Sequence, residues 1–278
     1  MEELRKDIVA AAAIIADVYI DKDTAATVAA ALKEYAAGPA FAAHSAYTNL
    51  VIADINAILN TTSHDDHFIV TQPGGGNGRA GITVSTVHYI SINSFESFDS
   101  AVTRQSFVTA LGRLKSPAVI DLRGCLGGDV VAMQYLLCCL FPDGTKLFDL
   151  TTRSGEFSYT ATAAMDQYLP PVTAVKYLGE LKIIVSKWTF SAGETVAWVC
   201  QRLGRAEIYG HKTIGMGHFV NTVPLGGMTL RVLFARPTID GQTIEKIGVV
   251  PDHSPESNEY IKTIYNEVMP QQLGINKK

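Results

Sequence analysis

The sequence predicts an α/β core that follows a helical N-terminal region. Two observations lead to this fold class. Residues 1–60 carry apolar side chains at helical spacing, and Leu4, Ile8 and Ile15 fall on one face of the first helix. From residue 68 onward, short strands rich in β-branched residues alternate with helices, which is the pattern of an α/β sheet.

The N-terminal region contains three predicted helices, which we expect to form a small bundle. The second covers residues 24–36, where Asp21 or Asp23 can cap its first turn. Gly38 and the proline after it end that helix, and residues 47–59 form the third. We therefore expect two domains, a helical bundle over residues 1–72 and an α/β core over residues 73–278.

The core is predicted element by element from apolar runs and turn residues. The predicted strands are residues 68–70, 84–95, 118–122, 181–186, 206–209, 220–224 and 228–235. The predicted helices of the core are residues 106–114, 130–140, 192–203 and 256–268.

Composition excludes several classes of function. The chain has 278 residues, of which 47% are hydrophobic and 18% charged, so it can bury a sizeable core. With a net charge of −4 and no basic stripe, nucleic acid is not an expected partner. No apolar run is long enough to cross a membrane, and the N-terminus has no signal-peptide pattern. The four cysteines show no Cys-x-x-Cys spacing, so we expect reduced thiols, a cytoplasmic location and no cofactor.

Ser191 is the first candidate for chemistry. It joins a buried strand to a helix, in the segment Ser-Ala-Gly-Glu that ends at Glu194. A serine there lies at the positive end of the helix dipole beside N–H groups without helical partners, which suits a nucleophile with an oxyanion site. The same Ser-x-x-Glu pattern is also a capping box, which only starts a helix.

A glycine-rich turn over residues 121–128 is the second candidate. It follows a buried strand and leads into a helix, and its glycines allow backbone N–H groups to approach a ligand closely. The segment is neither a Walker loop nor a dinucleotide fingerprint. A tight strand-to-helix turn without chemistry is the alternative interpretation.

Two histidines, His64 and His67, precede the first predicted strand together with two aspartates. Either histidine can act as a general base near neutral pH. They lie three residues apart, but no third ligand stands out elsewhere in the sequence, so no metal site is predicted.

In this order, the segments resemble the S41 class of proteases. That class includes the tail-specific (C-terminal processing) proteases, the tricorn-type proteases and the repeats of interphotoreceptor retinoid-binding protein. Its markers are an Asp-Leu-Arg-x-x-x-Gly-Gly turn, a Ser-Ala-x-Glu turn, a Gly-x-x-Thr-x-Gly loop and a Gly-Val-x-Pro-Asp segment. Here they lie at residues 121–128, 191–194, 210–215 and 248–252. The resemblance spans the whole chain and implies a core of the ClpP/crotonase type.

Two departures from the tail-specific pattern narrow the resemblance. In members with a Ser–Lys pair, the lysine follows the second glycine of the Gly-x-x-Thr-x-Gly loop, and that position here is Met216. A thioether cannot take a proton from serine, so only Lys212 could supply an amine. Only 16 residues separate Val70 from Val87, and an independent domain needs at least about 40, so no PDZ domain is expected there.

Both departures indicate the tricorn-like and retinoid-binding-like branch. In its catalytic members the resemblance implies a histidine base just before an N-terminal strand, and a glutamate before Gly-Val-x-Pro-Asp that orients the site. His67 matches the histidine and Glu245 the glutamate, while His64 and His211 are the alternative bases.

The resulting expectation is a peptidase-like serine hydrolase that acts on a peptide or another acyl substrate. Ser191 would be the nucleophile, and the N–H groups of Gly127, Gly128 and Ala192 would hold the oxyanion. Two alternatives stay open. One is a non-catalytic module that binds apolar ligands, and the other is an acyl-transfer or cyclising biosynthetic enzyme.

Overall fold

The computed structural model describes residues 2–46, 48–65, 67–73, 81–162 and 175–272. The chain divides into two compact units. The first comprises Met1–Asn77, Leu150–Phe157 and His218–Pro237, and the second comprises Gly78–Asp149, Ser158–Gly217 and Thr238–Lys278. The first unit thus includes two later segments, which a boundary after residue 72 leaves out; the division into domains at that boundary stays a prediction.

Four helices open the first unit. They are α1 (Glu2–Val18), α2 (Lys22–Ala37), α3 (Pro39–His44) and α4 (Thr48–Ser63). Asp21 caps α2 by accepting a hydrogen bond from the Thr24 N–H at 2.7 Å, as expected from the sequence. The three predicted helices are α1, α2 and α4, and a short helix that begins at Pro39 lies between the last two.

A small antiparallel sheet completes the first unit. Its strands are β1 (Ile69–Thr71), β9 (Phe219–Leu225) and β10 (Met228–Thr238), and β10 pairs with both others. The sheet continues through β5 (Lys146–Thr152) and β6 (Gly155–Thr160). Apolar side chains of the helices and of β1, β9 and β10 share one buried core.

The second unit is built on a sheet of five strands in the order β2-β3-β4-β7-β8. These strands are β2 (Ile82–Thr86), β3 (Tyr89–Ile92), β4 (Ala118–Asp121), β7 (Leu181–Val185) and β8 (Glu207–Gly210). The pairs from β3 to β8 are parallel, so the carboxyl ends of β4 and β7 lie at the same edge. Functional loops of parallel sheets gather at that edge.

The helices α5 (Ala101–Gly112), α6 (Val130–Leu140) and α7 (Ala192–Arg202) lie between these strands in the chain. After the last strand come α8 (Asn258–Thr263), a π-helical turn over Ile264–Val268 and α9 (Met269–Gln272). Helix α5 begins before the predicted residue 106 because the Ser100 side chain accepts from the Thr103 N–H and caps it. Within the described residues, none of the helices combines the length and apolar character needed to cross a bilayer.

The α/β fold class with a helical N-terminal region is confirmed. Strands β5 and β6 were not predicted from the sequence; in β6, Phe157 and Tyr159 alternate with polar residues, but nearly the whole strand is exposed. All four cysteines are buried and free of disulfides.

Candidate active site

Ser191 occupies a strained turn between β7 and α7. It is the N-cap residue of α7, with φ 51° and ψ −116°. Positive φ in a residue with a side chain costs about 1–3 kcal/mol and persists only where its surroundings enforce it. A strand-to-helix turn of this kind is typical of exposed nucleophiles. The sequence predicted the place of this turn, and the structure adds its strain.

The glycine-rich turn packs directly against Ser191. A Cβ atom on Gly127, which has φ 77°, would lie 2.7 Å from the Ser191 Cβ and 3.0 Å from the Phe190 carbonyl. The turns are also joined by the Phe190 N–H, which donates to the Cys125 carbonyl at 2.9 Å. Only glycine fits at position 127, so two predicted segments meet at the serine.

The predicted oxyanion donors belong to this contact region. Ala192 is the first residue of α7, so its N–H has no partner inside the helix. The next N–H, from Gly193, donates to the Phe190 carbonyl at 3.0 Å and is therefore taken. Gly128 forms an isolated β-bridge with Phe95, and a Cβ atom on Gly128 would lie 2.0 Å from the Phe95 carbonyl oxygen. The oxyanion role of Gly127, Gly128 and Ala192 stays a prediction.

Cys125 fills the space beneath the two turns. A Cβ atom on Gly193 would lie 2.9 Å from its Sγ atom. Burial raises the pKa of the Cys125 thiol to about 12, so the side chain is a neutral packing group at ordinary pH.

Glu194 is the centre of the hydrogen-bond network behind Ser191. Its fully buried carboxylate accepts from the Ser191 N–H at 3.0 Å, which is one half of the predicted capping box. The same carboxylate accepts from the Thr213 hydroxyl at 2.6 Å, the Gly215 N–H at 2.7 Å and the Met216 N–H at 2.9 Å. This carboxylate therefore ties the Ser191 turn to the Gly-x-x-Thr-x-Gly loop, and its role extends beyond capping α7.

The Gly-Val-x-Pro-Asp segment joins the same network. The Thr213 hydroxyl accepts from the Val249 N–H at 2.8 Å. A Cβ atom on Gly248 would lie 2.3 Å from the Thr213 carbonyl, so glycine is required there. All four segments on which the family resemblance depends therefore meet in the second unit.

Met216 and Glu245 lie at the edge of this network. The Met216 N–H shares the Glu194 Oε2 atom with the Ser191 N–H, so the position of the family lysine lies beside the serine turn. Glu245 accepts from the Gly217 N–H at 2.9 Å. The two predicted site residues Ser191 and Glu245 thus belong to one unit and are linked through residues 216 and 217.

The histidine candidates are dispersed. His67 is fully buried in the first compact unit, whereas Ser191 belongs to the second, so their pairing stays a prediction. His64 is exposed with φ 54° in the first unit, and His211 is exposed in the second.

The cluster of His67 with Asp65 and His218 was not predicted from the sequence. One potential ligand or proton-carrying atom from each of Asp65, His67 and His218 lies within 4.8 Å of the others. The rings of the two histidines are 5.6 Å apart between centroids. Burial opposes ionisation of Asp65, but hydrogen bonds from His67 and the nearby His218 outweigh it, so the pKa of Asp65 is lowered. The position of His218, three residues after the end of the Gly-x-x-Thr-x-Gly loop, was the one feature of the sequence that could have indicated a role for it.

A cleft of about 650 Å³ opens at the carboxyl edge of the sheet in the second unit. Its lining includes Asn93, Gly124, Ser186 and Trp188, together with Arg123, which forms an ion pair with Asp121 at 2.6 Å. Gly124 and Trp188 belong to the same two turns that carry Gly127 and Ser191. The cleft is therefore a recess with both polar and apolar lining and one exposed aromatic side chain, Trp188.

Comparison with known proteins places this geometry in a family. The family model for peptidase family S41 matches residues 86–254, which is more than half of the chain. The chain belongs to peptidase family S41. Membership confirms the family resemblance, and the family is one of serine peptidases, which are enzymes.

Relatives of known sequence and structure agree with this assignment. The chain is 29% identical over 186 residues to the chloroplastic carboxyl-terminal-processing peptidase 2 of Arabidopsis thaliana; the match covers 65% of this chain and 33% of that protein. It therefore spans about a third of that relative's length. A lipoprotein from Streptococcus agalactiae superposes with a TM-score of 0.65 at 14% identity, over 96% of both chains. The photosystem II D1 C-terminal processing protease gives a TM-score of 0.59 at 17% identity, over 96% of this chain and 98% of that one. These structures show the shared fold.

Proposed function

We propose that this S41 family member is a serine hydrolase that cleaves a peptide or another acyl substrate, with Ser191 as its nucleophile. The observation that carries the proposal is the strained Ser191 turn, enclosed by Gly127 and anchored by the buried Glu194. A structure that only needed to start a helix would have no reason to retain such strain, because an ordinary N-cap residue has extended backbone angles.

The proposed reaction follows the logic of a serine nucleophile with a histidine base. The Ser191 hydroxyl attacks the substrate carbonyl while His67 takes its proton; the bond to the leaving group then breaks, and His67 gives that group the proton. Water, deprotonated by His67, then hydrolyses the acyl-enzyme and frees Ser191. The N–H groups of Gly127, Gly128 and Ala192 stabilise the oxyanion, and Glu245 orients the base side of the site. Met216 explains the choice of base, because a thioether at the lysine position cannot accept the proton.

The cleft favours a substrate with polar backbone groups over a purely apolar ligand. Hydroxyl, amide and guanidinium groups share its lining with apolar groups, and Trp188 offers one exposed apolar face. A peptide has this combination of hydrogen-bonding backbone and apolar side chains. The names of the relatives add a narrower proposal, cleavage near the carboxyl terminus of a protein.

A serine-directed fluorophosphonate probe tests the nucleophile. We expect covalent labelling of the full chain and its loss in Ser191→Ala. The matched control is Ser100→Ala, which also removes a serine from the N-cap of a helix in the same unit, α5. Both variants can lose about 1 kcal/mol of stability with the cap, so thermal unfolding is recorded alongside labelling.

The contradicting outcomes are specific. Equal labelling of Ser191→Ala and the unchanged chain would place the reactive group elsewhere. A well-folded chain that no fluorophosphonate labels would favour a binding function for this fold.

A further inference from the structure

We propose that Asp65, His67 and His218 form a binding site for a divalent transition-metal ion, with Zn²⁺ as the expected occupant. The three side chains offer two imidazole nitrogens and one carboxylate oxygen within 4.8 Å of one another. Two histidines and one carboxylate are a ligand set that zinc sites use, with the fourth position left to water. Among the described residues, no other group of three such side chains converges.

The ligand atoms lie close to the spacing of a zinc site, although they are wider apart than bound ligands would be. The His67 Nδ1 and Asp65 Oδ1 atoms are 3.6 Å apart, which is too long for a good hydrogen bond. Zinc bonds of about 2.0–2.1 Å place two tetrahedral ligands about 3.3 Å apart, so this pair needs only a small adjustment. The other distances, none above 4.8 Å, would have to shorten on binding, and the half-buried His218 side chain has room to rotate for this.

The surroundings hold Asp65 and His67 in place. His67 is fully buried, and Asp65 has only 8% of its side chain exposed. The Asp65 Oδ1 atom accepts from the His67 N–H at 2.9 Å, and the Tyr19 hydroxyl lies 3.4 Å from Oδ2. Tyr19 in turn stacks on Phe68 at 4.8 Å between ring centroids. Partners of this kind orient metal ligands and raise affinity.

The sheet of the first unit brings the distant histidine to the pair. His67 precedes β1, whose Ile69 pairs with Arg231 of β10. His218 precedes β9, whose Phe219 pairs with Ala235 of the same strand. Because both neighbours run antiparallel to β10, the two histidines lie at the same end of the sheet. The fold thus supplies the third ligand that spacing in the sequence could not reveal.

Metal binding would have a consequence that rests on the proposed function. A ring nitrogen of His67 that binds Zn²⁺ cannot also accept the proton of a serine hydroxyl. Occupancy would therefore switch the hydrolase off, and removal of the ion would restore the base.

The experiment titrates Zn²⁺ into the metal-free full chain carrying Ser191→Ala, in competition with a chromophoric chelator. This background measures binding without any activity, so a failure of the proposed hydrolase function leaves the result readable. We expect one ion per chain, with affinity lowered at least about tenfold by His218→Ala and by Asp65→Asn. The control is His253→Ala, since His253 forms a histidine–carboxylate pair with Glu207 at 3.5 Å in the second unit.

Two further measurements need no substitution of a ligand, so they test the site even if a variant folds poorly. Co²⁺ in place of Zn²⁺ should give the intense visible bands of a four-coordinate site in the otherwise unchanged chain. Zn²⁺ should also slow fluorophosphonate labelling of a chain with an intact Ser191. Absence of stoichiometric binding, or binding that Asp65→Asn and His218→Ala leave unchanged, would overturn the metal site. Tight binding with unchanged labelling would overturn the switch.

Discussion

Replacing Glu194 by glutamine should disrupt the centre of the site while leaving its shape almost unchanged. The carboxylate is fully buried and accepts four hydrogen bonds. Glutamine keeps the volume but turns one accepting oxygen into a donating NH₂ group. Whichever way the amide turns, it faces at least one backbone N–H that can only donate.

The loss of stability depends on which of the two carboxylate oxygens is replaced by the NH₂ group. An amide NH₂ at Oε2 would face the N–H groups of both Ser191 and Met216. At Oε1 it would face the Gly215 N–H, while the Thr213 hydroxyl could reverse and accept. The second orientation is cheaper and abolishes one hydrogen bond to a charged group, worth about 1.5–3 kcal/mol. A buried N–H is also left without an acceptor, so we expect the free energy of unfolding to fall by about 3 kcal/mol.

Chemical denaturation of the full chain with Glu194→Gln measures this loss, and the thermal midpoint should fall by about 6–12 °C. Fluorophosphonate labelling should also slow, because the Ser191 N–H would then donate to an uncharged amide oxygen, which holds it less firmly than the carboxylate. The control is Glu259→Gln, an exposed glutamate in the first turn of α8. A loss below about 1 kcal/mol, indistinguishable from ordinary surface changes, would refute the assignment of Glu194 as the centre of the network.

Three other predictions concern the same site. Gly127→Ala should abolish probe labelling, because its Cβ would lie 2.7 Å from the Ser191 Cβ; Gly204→Ala, at φ 65° with open space around it, carries similar backbone strain and should label normally. Met216→Lys should leave the labelling rate unchanged if His67 is the base, whereas a large increase would assign the chain to the Ser–Lys branch. Burial raises the pKa of Cys125 from 9.0 to about 12, so between these two values the thiol ionises in the unfolded chain and stays neutral in the folded one. The free energy of unfolding should therefore fall as the pH rises from 9.0 towards about 12, and it should fall less steeply in Cys125→Ser.

Local patterns in the sequence were sufficient for most of the fold. Helix α6 begins and ends at the predicted residues 130 and 140, because an Asp129 cap precedes an almost continuous apolar run. The strands of the parallel sheet were found because burial on both faces requires apolar, β-branched residues. The exposed strand β6 was missed although Phe157 and Tyr159 alternate with polar residues, because it is short and lacks the apolar, β-branched run of a buried strand.

The sequence by itself determined which residue types stand at the turns: the serine and glutamate of the α7 turn, the paired glycines after β4, and Met216 where the family carries lysine. The tertiary structure alone decided that Glu194 binds the Gly-x-x-Thr-x-Gly loop and that Gly127 touches Ser191. It also alone placed His218 beside His67 and Asp65. The physical reason is range. Caps, turns and strand patterns arise from neighbours along the chain, whereas a buried carboxylate or a histidine cluster acquires its partners only when strands distant in sequence pair.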